Sequence, residues 1–111
     1  MNCRQIKKHR DSVCSICVTP NGEYVVSGSE DGTVRITRFD NGKLVREIRY
    51  HLKKVNMVCV TPDSRYVLSL SKGYVHITRI KDGKLFRDIN VGYGVTSICV
   101  SPGGKHVVFG L

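Results

Sequence analysis

Cys14 and Cys17 stand two residues apart, the spacing at which paired thiolates hold zinc. They fall within an apolar run, Val13 to Val18, that reads as a strand. In a strand, an offset of three sends side chains to opposite faces, so the pair cannot close on one ion. No metal site is expected. Cys17, Cys59 and Cys99 follow another pattern, recurring at steps of 42 and 40 residues inside SICV, MVCV and SICV. One thiol at a fixed place in a recurring strand reads as a small buried hydrophobe and not as a disulfide framework. That usage suits a reducing compartment, cytoplasm or nucleus. The carboxylates Glu30-Asp31, Asp40, Asp63, Asp82 and Asp88 are isolated from one another. No pair is placed for acid–base work or for a cation loop. The glycines lie in hairpin turns and not between a strand and a helix, so no phosphate cradle and no cofactor are expected. Catalysis is the least supported class.

Charge is the stronger signal. The chain has 111 residues, and 18 Lys and Arg face 9 Asp and Glu, a formal charge of +9. Such a balance favours anionic partners without choosing among them. The densest patches are Arg4, Lys7, Lys8, His9 and Arg10, and then Lys53 with Lys54. Both lie just before an inner strand, at equivalent places. They read as a solvated loop rim, or more sharply as a basic patch built by repetition. The aromatics Phe39, Tyr50, Tyr66, Tyr74, Phe86 and Tyr93 are scattered and form no evident stacking platform for bases. No apolar stretch has the length of a membrane span or a secretion signal, so no membrane partner is expected.

The elements that position these residues are short strands. Pro20, Pro62 and Pro102 mark one point in three copies, at steps of 42 and 40 residues. In the first copy the strands expected are Val13–Val18, Tyr24–Ser27, Thr33–Arg38 and Leu44–Ile48. In the second they are Val55–Val60, Tyr66–Leu70, Tyr74–Ile80 and Leu85–Ile89. The third offers Val95–Val100 and His106–Phe109. Cys3 to Ile6 reads as an outer strand ahead of the first copy. Pro-Asn-Gly, Asp-Gly and Asn-Gly turns separate the runs, and β-branched residues fill them. No segment has the length and period of a stable helix. Both faces of Val13–Val18 look apolar or small, so both are expected to be buried, with Ile16 and Val18 opposite Val13, Ser15 and Cys17.

A period of about 40 to 45 residues with several strands each is the pattern of propeller blades. The fold class expected is all-β, a partial β-propeller of four-stranded antiparallel blades. The copies run approximately over residues 3–42, 43–83 and 84–111, the last incomplete. A closed ring needs roughly four to eight blades. The chain is therefore expected to be a piece of a larger ring, or to be completed by self-association or by other blades.

The pattern SVCSICVTPNGEYVVSGSEDGTVRI resembles a WD40 repeat. In that family a Gly-His pair precedes the inner strand and a Trp-Asp pair ends the third. An Asp sits in the turn between the second and third strands. His9 and His51 occupy the His place, preceded by Lys8 and Tyr50, while Val91 stands there in the third copy. Asp31 matches the turn Asp, where the second copy has Lys72. Thr37-Arg38 and Thr78-Arg79 fill the Trp-Asp places. The resemblance implies a buried structural network of His9, Ser27 and Asp31 in the first blade, with His51 in the second. Thr37 is expected to satisfy its hydroxyl locally. A His-Asp-Ser set also suggests a hydrolase, but the repeat already accounts for these residues as structural.

The function implied is a non-catalytic protein-interaction or scaffold module, with partners acidic on average. Its rim would present Arg10, Glu30, Tyr50, Lys53, Lys72 and Tyr93. The alternatives are a basic nucleic-acid-associated module, and a structural piece that needs further blades.

Overall fold

The computed structural model describes residues 12–49, 51 and 53–110. The expected strand at Cys3–Ile6, with His9, Arg10 and Tyr50, lies outside the described residues.

β-branched runs separated by turns every few residues give ten strands. They are β1 Val13–Val18, β2 Tyr24–Ser29, β3 Val34–Arg38, β4 Leu44–Ile48 and β5 Val55–Val60. Then follow β6 Tyr66–Ser71, β7 Gly73–Arg79, β8 Leu85–Gly92, β9 Ser97–Val100 and β10 Val107–Gly110. β1 to β4 form one antiparallel sheet in sequence order, β5 to β8 a second, and β9 with β10 a third, two-stranded one. Among the described residues there is no helix. The architecture is the all-β one expected, with four-stranded antiparallel blades.

The first turn of each blade is built the same way. Thr19 Oγ1 donates to Asn21 Oδ1 at 2.6 Å, and the amides of Glu23 and Tyr24 return to Asn21 Oδ1 and Thr19 Oγ1. In the second blade Thr61 and Asp63 make the same contacts with Arg65 and Tyr66. These are local side-chain bonds that replace ladder bonds at the point where Pro20 or Pro62 ends the strand. At the tightest point Gly22 has φ +75°. Ser64 takes that place in the second blade at φ 62°, the only non-glycine with positive φ among the described residues. An L-residue there is strained, and what Ser64 gains is a contact: its Oγ accepts the Asn21 amide of the first blade at 3.1 Å.

The blades stand side by side along their inner strands, β1 next to β5 and β5 next to β9. Val26, Val34, Ile36 and Ile48 of the first blade close on Val55, Val58, Val67 and Ile80 of the second. Leu68, Leu70 and Val75, on the other face of the second blade, close on Ile98. The close approach needs Gly28: a Cβ there would lie 2.5 Å from Val55 Cγ1. Two polar bonds repeat the packing step, from the Val58 amide to Ser15 Oγ at 3.1 Å and from the Ile98 amide to Met57 Sδ at 3.5 Å. Arg46 at the outer edge donates from Nε to the Ile80 carbonyl at 3.0 Å, and from its other nitrogen to Lys81.

Two sequence expectations are corrected. A β-bulge at Cys14, repeated at Asn56, breaks the alternation of the inner strand. Val55 and Val58 therefore share one face, both against Gly28, and Val13 joins Ile16 instead of opposing it. Nor is β1 buried on both faces. Ile16 is 53% exposed and Val18 is exposed too, whereas Val58, in the place of Ile16, is 3% exposed. The same side chain is buried only where a neighbouring blade covers it.

Candidate functional site

The second blade differs from the first most at one end, where β6 turns into β7. The first blade spends three residues there, Glu30-Asp31-Gly32, and the second only Lys72-Gly73. Asp31 Oδ1 accepts from the amide and the hydroxyl of Thr33, at 2.8 and 2.5 Å, and so ties the longer turn. The second blade has a lysine at the Asp31 place and Tyr74 at the Thr33 place, so that tie is gone. Next along β3, Arg35 pairs with Glu47 of β4 at 2.6 Å. The same register in the second blade pairs His76 with Asp88, with His76 Nε2 at 3.6 Å from Asp88 Oδ1.

These shorter groups border a pocket of about 420 Å³, lined by His51, Lys53, Ser71, Lys72, Tyr74, His76, Asp88 and Tyr93. His51 forms its buried wall. Its Nε2 lies 2.7 Å from Ser69 Oγ, and its ring centroid is 4.2 Å from that of His76. Ser69 Oγ donates to the His76 carbonyl at 3.4 Å. The shorter His51–Ser69 contact is the stronger of the two, and which atom donates in it depends on the imidazole tautomer. Desolvation, with the neighbouring His76 adding to it, pushes His51 down to about 4. His76 is also lowered by desolvation, against the opposing pull of Asp88. At neutral pH both rings are uncharged, and the charges at the pocket are the two ammonium groups and one carboxylate.

The entrance carries two lysines and one aromatic ring. Lys72 Nζ sits 5.3 Å from the centre of the Tyr93 ring, which is 74% exposed. Neither Lys53 nor Lys72 has an acidic partner among the described residues. Several arginines elsewhere are paired: Glu47 holds Arg35 and Arg49, Asp40 holds Arg38 and Asp82 holds Arg79. Burial alone would raise the Glu47 carboxyl, but the Arg49 hydrogen bond and the two arginine charges together bring it below the usual range. The Arg79 hydrogen bond, with the Lys84 amide behind it, holds Asp82 far below the usual carboxylate range.

Of the six rim residues, Lys53, Lys72 and Tyr93 come together at this pocket, and Glu30 does not line it. Arg10 and Tyr50 lie outside the described residues. Of the blade network, His51 meets Ser69, which stands in the second blade where Ser27 stands in the first. Ser27 is fully buried, and Asp31 binds Thr33. The His9 contact lies outside the described residues. Thr37 corrects an expectation. Its hydroxyl is buried without a partner, and so is that of Thr78. Sequence reasoning passed over His76, Tyr74 and Asp88. Aligning the two copies strand by strand would have found them, since they replace Arg35, Thr33 and Glu47.

Among the described residues no cluster of three His, Cys, Asp or Glu is placed to hold a metal ion. No described helix is long and apolar enough to cross a membrane. Cys17 and Cys59 are half-buried against the two hydrophobic clusters, and desolvation pushes them up to about 11 and about 12. Cys14 and Cys99 are exposed.

Four-stranded antiparallel sheets, stacked on their inner strands and repeating every 40 or so residues, define the class: an all-β fold consistent with blades of a partial β-propeller of the WD40 type. The family model for the WD domain, G-beta repeat, matches residues 2–37. The chain is similar over 38 residues to proteins named ribosome biogenesis protein BOP1 homolog from Drosophila grimshawi, Drosophila ananassae and Drosophila melanogaster, at 50% identity in each case. The similarity covers 34% of this chain and 5% of each relative. The chain thus spans a small fraction of the length of the curated relatives it matches. WD40 repeats generally serve as protein-interaction scaffolds.

Proposed function

We propose that this chain is a non-catalytic protein-binding segment of a β-propeller, which engages its partner through the loops around Lys53, Lys72 and Tyr93. The observation that carries this reading is the convergence of two unpaired ammonium groups and an exposed aromatic ring on one pocket. Rigid strands behind them hold the loops without the ordering cost that a flexible segment would incur on binding. The test compares what the chain retains from cell extract with what two charge variants retain. Lys53→Glu with Lys72→Glu is expected to lose a protein that Lys43→Glu with Lys105→Glu keeps. Equal retention by both variants would sink the reading. The ribosome-biogenesis relatives make ribosome-assembly proteins the first partners to try. They also favour the nuclear side of the expected cytoplasmic or nuclear location, which a fluorescent fusion would check.

A second reading, completion by further blades, has its own support. In the first blade Val13, Ile16, Val18 and Phe39 are exposed. At the same places in the second blade, Val55, Val58 and Ile80 are buried against the first. A blade presenting the counterpart of the Val26, Val34 and Ile36 face would cover them. Light scattering at several concentrations tests this: Ile16→Asp with Phe39→Asp is expected to abolish association of the 111-residue chain. The nucleic-acid alternative rests on the +9 charge alone. It would require affinity for RNA that falls steeply with salt.

A further inference from the structure

We infer that the pocket between the β6–β7 turn and the outer strand β8 takes a single acidic side chain, Asp or Glu, from a partner polypeptide, held between Lys53 and Lys72 against the Tyr93 ring. The inference rests on the protein-binding reading and names the chemistry of that site.

Three observations carry it. The first is a reversal of charge. The first blade places Asp31 in this turn and ties it to Thr33, whereas the second places Lys72 there with no internal acid to hold. The second is space. The turn is one residue shorter. The long Arg35–Glu47 pair is replaced by the shorter His76 and Asp88, and a pocket of about 420 Å³ lies beside them. That volume admits a side chain with its carboxylate but not a folded element. The third is the charge count. With both imidazoles uncharged at neutral pH, two ammonium groups and the Asp88 carboxylate leave a net charge of one positive at the pocket. One carboxylate neutralises it. A phosphate dianion would leave excess negative charge beside Asp88. The Tyr93 ring supplies an apolar wall for the methylene groups of the entering side chain.

The test is fluorescence anisotropy with the full chain and four labelled probes of one length. These are a Glu–Gly repeat, a Gln–Gly repeat, a phosphoserine–Gly repeat and oligouridine. The Glu–Gly peptide is expected to bind, and the Gln–Gly peptide to bind about ten-fold more weakly or not at all. Lys53→Gln with Lys72→Gln is expected to remove that preference, while Lys43→Gln with Lys105→Gln retains it. Tyr93→Ala, at an exposed position that does not threaten folding, is expected to weaken the Glu–Gly peptide several-fold. Equal weakening by the two lysine pairs would overturn the inference in favour of diffuse charge. Tighter binding of the phosphoserine peptide, or of oligouridine, would overturn it in favour of a dianion or a nucleic acid. Equal binding of the Gln–Gly and Glu–Gly peptides would overturn the acidic assignment and leave the protein-binding reading standing. Binding of none of the peptides would overturn both.

Discussion

The two complete blades share strand order, pairing and turn chemistry, yet corresponding positions carry different side chains with different consequences. Gly28 admits Val55 into the first sheet, while Leu70 at the same place fills the second core. Arg35 and Glu47 form a tight pair that stays charged across the ordinary pH range, while His76 and Asp88 form a longer one whose charge depends on pH. Asp31 closes one turn, while Lys72 opens the other. The backbone plan tolerates these exchanges because strand ladders are made by main-chain groups. What differs is which surface each blade meets, and so which residues are buried, paired or left open for a ligand.

The largest effect that would sharpen this comparison comes from acid. His51 is buried and titrates at about 4 in the fold, below the ordinary 6.5. A depressed imidazole contributes stability that is complete above about pH 6.5 and is lost as the pH falls toward 4. The loss is on the order of 3 kcal/mol, read as a falling urea midpoint by circular dichroism. His51→Gln should flatten the profile; an unchanged slope would mean that the second blade lacks this buried group. Leu70→Ala is expected to cost about 3 kcal/mol by leaving a cavity, and Gly28→Ala about 2 kcal/mol by forcing the blades apart. If both proved neutral, the interlocking of glycine and leucine across blades would be refuted.

Smaller effects probe the unpaired hydroxyls. Thr37→Val and Thr78→Val should each stabilise the chain by about 1 kcal/mol, since each removes a buried polar atom without a partner at nearly constant shape. A loss of stability would show that the hydroxyls are in fact satisfied. The smallest readout is kinetic. At pH 8, iodoacetamide should label Cys14 and Cys99 well before Cys17 and Cys59, whose thiols are held up at about 11 and about 12 by burial. Equal rates, measured by mass spectrometry, would mean that the blades do not cover these positions.

Much of the fold was legible in the chain. Leu44–Ile48 and Val55–Val60 were placed at their observed bounds, because turn residues with particular backbone needs flank clear β-branched runs. The inner-strand face was misread because a bulge at Cys14 leaves no mark in a pattern of alternating apolar residues. At the site, Lys53, Lys72 and Tyr93 were singled out by their place in the loops. His76 and Asp88 were not, because a strand position looks structural until its cross-strand partner is known.

The sequence by itself determined the repeat, the strand-and-turn order and the excess of positive charge, since these are set by local conformational preference and composition. Only the tertiary structure decided which of two equivalent valine or isoleucine positions is covered and which lysines meet Tyr93 at one pocket. It also decided that the second blade borders a pocket at its β6–β7 turn. Burial and pairing depend on what the neighbouring blade presents, and no single repeat contains that information.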